Sequence, residues 1–519
     1  MNRQAMASHT FITGSTGTGK SNAVYHLLDE ITKNGQTTFL VVEPAKGEYK
    51  NVFGNCTDVQ VFGTNPRETP LLRMNPFAFP ENIHILEHID RLVEIFNACW
   101  PMYAAMPAVL KDAIERSYQK VGWDLRNSES EKGVFPTFFD LLDILPGVIE
   151  ESHYSKDTQS DYVGALCTRV KSLTNGIYGS VLCAEDALTD EALFDRNVIV
   201  DLSRVGSMET KSLLMGILVM KLQEYRMCSS GMNSRLRHVT VLEEAHNLLR
   251  KTSAGQSQEG ANLQGKSVEM LANAIAEMRT YGEGFIIADQ APGLLDMSVI
   301  RNTNTKIILR LPDEEDRKLV GKSAALKEAQ IDELSKLPLG VAAVYQNEWP
   351  EAVLCKIEAY PMPENAVYHK PSKMPHEINA EFVFGQLAVG KELEPLSSSE
   401  MEQLKLWLKR HETVLKPEDS RYLERVFAGG ELDVAKTRKA VFDFFGGIGT
   451  VVDYCAAAKK SLTPRKEFLE QLQGQYGLKA AAADWVLNSV ISMGMSLNPD
   501  AKAVDNLRTN FEQQGGRVL

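Results

Sequence analysis

The string Gly14-Ser15-Thr16-Gly17-Thr18-Gly19-Lys20-Ser21 follows the apolar residues Phe11 and Ile12 and opens a segment in which Val24, Leu27, Leu28 and Ile31 recur at helical spacing, with Gly35 as a stop. A glycine-rich turn between a strand and a helix commits the chain to an α/β fold with a phosphate site at the helix N-terminus. The glycines let backbone N–H groups converge on phosphate oxygens, Lys20 reaches the β and γ positions, and Ser21 offers its hydroxyl to Mg²⁺. Gly14, Ser15, Thr16, Gly17, Thr18, Gly19, Lys20, Ser21 and Asn22 are therefore the expected nucleotide-binding residues. ATP with magnesium is the expected cofactor.

A second element follows about 220 residues later. His238-Val239-Thr240-Val241-Leu242 reads as a buried strand that ends in Glu243 and Glu244. Adjacent side chains at a strand end point in different directions, so Glu243 can hold the magnesium shell while Glu244 polarises the attacking water. A third element, the strand Gly284–Ala288, ends in Asp289-Gln290-Ala291-Pro292, and Gln290 at its tip is a candidate sensor of the γ-phosphate. Arg279, on a helix end ahead of that strand, is a candidate arginine finger for a neighbouring subunit's ATP.

Apolar strand candidates at Thr38–Val42, Val198–Asp201, Thr305–Leu311 and Val341–Tyr345 alternate with helices through the first 360 residues, which predicts a largely parallel sheet. From about Asn82 to Gly179 helical periodicity replaces the strands, as in Ile85, Ile89, Leu92, Val93 and Phe96, interrupted by the polar stretch Asp124–Gly133. The expected organisation is a P-loop ATPase domain over 1–361 with a helical insertion at about 80–180, a Pro-rich and charged linker over 362–395, and a helical domain over 396–519. Helices are expected at Ser397–His411, Val434–Phe445, Arg465–Gln475 and Ala480–Ser492. That last domain carries no chemical motif and reads as an interaction or oligomerisation module.

Successive motifs match one family in order: Phe11 to Asn22, Glu43-Pro44-Ala45-Lys46-Gly47-Glu48-Tyr49, Leu242-Glu243-Glu244-Ala245-His246-Asn247-Leu248-Leu249, and Arg279 to Pro292. Over roughly residues 8 to 350 the chain resembles the HerA/FtsK superfamily of hexameric DNA-pumping ATPases, the HerA branch in particular. The resemblance implies a RecA-like P-loop NTPase sheet and a hexameric ring around duplex DNA. It also implies magnesium ligation and water activation by Glu243 and Glu244, γ-phosphate sensing by Gln290, and action in trans by Arg279. That family usually carries a small β-barrel before its P-loop, whereas here the P-loop begins at Gly14. It often has Asp where this chain has Glu243, a change of one methylene that is familiar in the HerA branch.

Composition sets bounds on this reading. At 519 residues, 44% hydrophobic and 24% charged, the chain can build two or three globular domains. A net charge of -12 argues against a generally basic, nucleic-acid-coating surface, but leaves room for a local basic channel. Seven scattered cysteines with no CxxC pair suit a reducing compartment, read as the cytosol, and no apolar run approaches the roughly 18 residues of a membrane span.

Other strings spell competing chemistries. His84-Ile85-Leu86-Glu87-His88 matches HxxEH, but Ile85 and Leu86 belong to an amphipathic helix, and its histidines are expected to be solvent-facing or capped. Pro312-Asp313 near Asp316-Arg317-Lys318 lacks the strand spacing of a nuclease. The polar stretch Lys251–Lys266 reads equally as a pore loop, with Arg250, Lys251 and Lys266 as phosphate donors, or as an idle surface loop. Two functions fit: a motor that pumps duplex DNA for a partner nuclease or other effector in end processing or anti-phage defence, or an ATP-gated scaffold that organises an effector without translocation.

Overall fold

The computed structural model describes residues 3–33, 37–103, 105–130, 133–184, 187–252, 258–362, 366–370, 385, 387, 404, 415–428, 430–461, 463–476, 478, 480–498 and 500–518. The chain divides into two compact units, Met1–Glu129 with Phe135–Ser372, and Ser130–Val134 with Lys373–Leu519.

The strands in chain order are β1 (Thr10–Thr13), β2 (Thr38–Glu43), β3 (Val59–Gly63), β4 (Trp123–Asp124), β5 (Glu129–Ser130), β6 (Asn197–Asp201), β7 (His238–Glu243), β8 (Glu283–Asp289), β9 (Thr305–Ile308), β10 (Val341–Gln346) and β11 (Val353–Lys356). Nine of them form one sheet in the order β11-β10-β9-β1-β8-β7-β2-β6-β3, and β4 pairs with β5. From β9 to β3 every pairing is parallel, while β10 and β11 add an antiparallel edge.

Both faces of this sheet are covered, and the two-residue period of the strands sorts their side chains between two cores. Leu40, Val42, Val198, Val200, Phe285 and Ile287 face one core, which continues into the helical segment. Phe39, Val41, Ile199, Val239, Val241 and Ile286 face the other, against Val24, Leu28 and Ile31 of the P-loop helix Lys20–Thr32. The expected stop, Gly35, lies outside the described residues.

Between β3 and β6 the chain is helical, with Ile85–Cys99, Met106–Lys120 and Phe138–Glu151 as its longest pieces. Local chemistry sets their starts. The Thr137 side chain and Asp140 form a capping box, and His84 accepts from the Leu86 amide through Nδ1. His88 is not solvent-facing, contrary to expectation: it is fully buried, with Nδ1 2.9 Å from Glu224 of the helix Met208–Ser229. The HxxEH string thus supplies one cap and one interior contact to a carboxylate. Asp313 likewise caps the helix Glu314–Ser323 by accepting from the Asp316 amide.

Four strands escaped the sequence pattern for physical reasons: one of them, β3, is an edge strand in which only Val61 and Gly63 are buried, so it shows no sustained apolar run. All four residues of β11 are exposed, so no apolar alternation marks it, and β4 with β5 is a two-residue hairpin inside the polar stretch Asp124–Gly133. Residues 253–257 of the stretch Lys251–Lys266 lie outside the described residues, but the helix Gln258–Glu277 begins within it, so its second half is not a loop. There Gln264 donates to the Ala98 carbonyl and Ser267 to Glu94, which fastens this helix to Ile85–Cys99.

In the second unit, helices Pro417–Phe427, Val434–Phe444, Gly447–Ala457, Pro464–Tyr476, Ala480–Leu497 and Ala501–Gln513 enclose Leu423, Val441, Tyr454, Val486, Leu487, Ile491 and Phe511. Of the expected helix Ser397–His411 only Leu404 is among the described residues, and the expected linker lies mostly outside them. Among the described residues no single helix is long and apolar enough to cross a membrane.

At the amino ends of β7 and β8 a buried ionic knot replaces hydrocarbon packing. Arg226 donates Nε–H to Glu283 at 2.9 Å and Nη1–H to Asp195 at 2.8 Å, while His238 and Thr240 also reach Glu283. Burial opposes the Glu283 charge, yet His238 and Arg226 hold its carboxyl at about 2. Glu283→Ala strands the buried guanidinium, and the expected loss of stability is about 3–5 kcal/mol. Chemical unfolding followed by near-ultraviolet circular dichroism checks this; a change below about 1 kcal/mol would contradict it.

Candidate active site

Parallel register brings the chemistry-bearing residues to one edge of the sheet. Thr13 pairs with Asp289, Glu243 with Ala288, and Glu43 with Asp201, so the P-loop, Gln290, Glu244 and the loop after Glu43 all leave carboxyl ends of strands. That edge is where open α/β sheets bind ligands. The strand that leads to Gln290, β8, lies between the P-loop strand β1 and β7, which ends in Glu243.

A cavity of about 450 Å³ opens there, lined by Thr16, Gly17, Gly19, Lys20, Ser21 and Asn22, by Glu43, Lys46 and Tyr49, by Glu243, Glu244 and Gln290, and by Leu339 and Lys356–Ala359. Gly17 and Gly19 have φ of 75° and 107°, left-handed geometry that a side chain would strain. Lys20 Nζ donates to the Gly14 carbonyl at 2.6 Å, which holds the ammonium over the loop. Burial lowers the Lys20 pKa, against the pull of Glu244 and Glu243.

Some P-loop side chains brace the loop itself. Ser15 Oγ donates to the Arg310 carbonyl and Thr18 Oγ1 to the Ser15 carbonyl. Asn22 donates to the Glu358 carbonyl and accepts from the Tyr360 amide, so its amide group ties the segment after β11 to the P-loop helix. Gly14, at the start of the loop, is packed against Thr18 and Leu309.

The two adjacent carboxylates at the end of β7, Glu243 and Glu244 (the Walker-B pair), sit in different surroundings. Glu243 is buried and accepts from the Tyr49 hydroxyl; burial pushes its carboxyl up to about 7. Glu244 has φ 43° and ψ 52°, a left-handed conformation that turns its side chain out of the strand direction. It accepts from Gln290 Nε2, and Gln290 Oε1 in turn accepts from the Thr16 hydroxyl of the P-loop. Gln290 thereby joins the phosphate loop to the second carboxylate.

The donors fit the implied cofactor. Ser21 and Glu243 offer a hydroxyl and a carboxylate oxygen to one cavity, the hard-oxygen set that magnesium takes. Glu244, His246 and Asp289 also have potential ligand atoms within 4.8 Å of one another. Asp289 is already committed, however: it accepts from the His246 amide and Nδ1 and from the Ala291 amide. The hydrogen bond to Asp289 raises the His246 pKa.

Arg279 is exposed on a 3₁₀ turn, Met278–Tyr281, that follows the helix and leads into the amino end of β8. Gln290 leaves the other end of the same seven-residue strand, so the two residues are separated by roughly 20 Å. The structure thus brings Gly14–Ser21, Glu243, Glu244 and Gln290 together and keeps Arg279 away from its own P-loop.

Residues given no role by the sequence reading also shape the site: Tyr49 on Glu243, Asp289 on His246, and Glu43, which accepts from the Glu48 and Tyr49 amides. Burial pushes the Glu43 carboxyl up to about 8. The only signal for them was membership in the family-like motifs, because their partners are distant in sequence.

The strand order and this cavity define a RecA-like P-loop NTPase. Residues 3–219 match the family described as "Helicase HerA, central domain". Over those residues the chain is similar to the HerA family. It is 25% identical over 369 residues to the DNA double-strand break repair helicase HerA of Sulfolobus acidocaldarius, covering 68% of this chain and 66% of that one. The chain thus spans just under two thirds of that relative. Its fold is similar to that of VirB4 of Thermoanaerobacter pseudethanolicus, with a TM-score of 0.53 at 19% identity, covering 68% and 90% of the two chains. Plasmid coupling protein TrwB in complex with the ATP analogue ADPNP gives a TM-score of 0.51 at 14% identity, covering 72% and 90%.

Proposed function

We propose that the chain is the ATP-hydrolysing subunit of a ring, six copies by family resemblance, that moves duplex DNA and works with a nuclease or other effector in DNA end processing or anti-phage defence. The observation that carries this reading is the chain of hydrogen bonds from Thr16 through Gln290 to Glu244, which ties the phosphate loop to the carboxylate that activates water in this reading. The name of the Sulfolobus relative supports DNA as the track.

In this reading residues 1–361 form the motor domain, 362–395 the linker and 396–519 a domain that meets the ring or the effector. Lys20 and the P-loop amides bind the triphosphate, and Ser21 and Glu243 hold magnesium, which when bound neutralises phosphate charge. Glu244 accepts the proton of the attacking water, Gln290 orients that water and reports the state of the γ-phosphate, and Arg279 reaches the site of the adjacent copy.

Steady-state ATP turnover with and without duplex DNA tests the proposal. Duplex DNA is expected to raise kcat about tenfold or more, as tight coupling of hydrolysis to movement requires. Lys20→Ala is expected to abolish turnover under both conditions. Slow turnover that ignores DNA would favour the ATP-gated scaffold instead.

A further inference from the structure

The loop after β2 presents a feature that nucleotide binding by the P-loop does not require. Lys46 and Gly47 have successive positive φ angles, 66° and 69°. A lysine rarely adopts the left-handed conformation, and such residues persist where their surroundings enforce them. Here the surroundings do. The Glu43 carboxylate takes the Glu48 amide at 2.7 Å and the Tyr49 amide at 3.2 Å, and the Gly47 amide donates to Ala45 at 2.8 Å. A Cβ on Gly47 would lie 3.1 Å from Ser203 Oγ and 3.2 Å from Asp201 Oδ2, so the turn is also packed from behind.

The consequence is that Lys46 lines the nucleotide cavity. Its place follows from the sheet order: β1 brings the P-loop, β8 brings Gln290, β7 brings Glu243 and Glu244, and β2 brings Lys46. The opposite wall, Leu339 and Lys356–Ala359, belongs to β10, β11 and their flanks. Lys46 therefore stands beyond the Walker-B carboxylates, at the end where the terminal phosphate and the attacking water belong, and its charge is felt by both Lys20 and Glu243. Its ion pair with Glu48, at 3.6 Å, leaves both side chains about half exposed. A pair of that kind is weak and yields readily to a phosphate oxygen.

We propose that Lys46 is a second phosphate-binding cation, which acts within its own subunit on the γ-phosphate and complements Lys20 from the other side of the carboxylates. The inference rests on the nucleotide site described above. It assigns this lysine a preference for triphosphate over diphosphate.

The test uses the full chain with Mg²⁺ and measures dissociation constants for ADP and for a non-hydrolysable ATP analogue, together with kcat, in wild type, Lys46→Met, Lys46→Arg and Lys20→Ala. Lys46→Met is expected to leave ADP affinity within about twofold, to weaken the ATP analogue about tenfold or more, and to lower kcat, as loss of a charge-assisted bond to one phosphate requires. Lys46→Arg is expected to recover part of the analogue affinity. Equal, wild-type affinities and kcat in Lys46→Met would overturn the proposal, and so would an equal loss of both nucleotides, which would mean a general disturbance of the loop. Lys20→Ala keeps the two readings apart. Loss of both nucleotides there confirms the P-loop site whatever Lys46 does, while wild-type binding there would remove the site and the proposal together.

Discussion

Glu244→Gln is expected to bind ATP as tightly as wild type and to turn it over about 10²–10⁴-fold more slowly, the span that a positioned general base contributes. The substitution keeps the shape of the side chain and an oxygen that can accept from Gln290 Nε2. It leaves Ser21, Glu243 and Lys20 in place, so the binding surface survives. What is lost is the capacity to take a proton. Glu243→Gln is the informative partner, because Glu243 is buried beneath the Tyr49 hydroxyl and is the residue proposed to hold the magnesium shell. That variant is expected to lose magnesium-dependent nucleotide affinity as well as turnover. Single-turnover hydrolysis alongside equilibrium binding separates the two; tight binding without turnover in Glu243→Gln, and not in Glu244→Gln, would exchange their roles.

Arg279→Ala is expected to lower turnover by about 10³-fold or more while ATP affinity in each subunit changes little, as removal of an arginine finger does. The residue stands exposed at the amino end of β8, at the far end of the strand from Gln290, where it cannot serve its own nucleotide. Activity in mixed assemblies follows from that placement. Arg279→Ala subunits keep an intact P-loop and Lys20→Ala subunits keep the arginine, so interfaces between them are expected to recover turnover that neither variant shows alone. No recovery in verified mixed assemblies, or full activity of Arg279→Ala by itself, would remove the finger.

Much of this site was legible in the sequence because its parts are local. The P-loop is contiguous, and each of β2, β7 and β8 announces itself as a short apolar run ending in a polar residue, Glu43, Glu243 or Asp289, at the sheet edge. The links between those ends were not legible. Tyr49 and Glu243 are 194 residues apart, and Thr16 and Gln290 are 274 apart, so nothing in either neighbourhood marks the bond.

Burial also hid some assignments. His88 sits on an amphipathic helix whose pattern does not reveal that Glu224 of another helix receives it. The strand β11 is exposed along its whole length and follows no apolar alternation, yet its continuation walls the nucleotide cavity and is held there by Asn22. The helix Gln258–Glu277 starts in a polar stretch with three glycines, and its fixed course comes from Gln264 and Ser267 bonding to a distant helix.

Movement along duplex DNA is tested most directly by displacement of a third strand from a triplex on a linear duplex, followed in a gel with the wild-type chain, Mg²⁺ and ATP. A translocating ring is expected to release the third strand with ATP, to release none with a non-hydrolysable analogue, and to release none as Glu244→Gln. ATP turnover that leaves the triplex intact would contradict translocation.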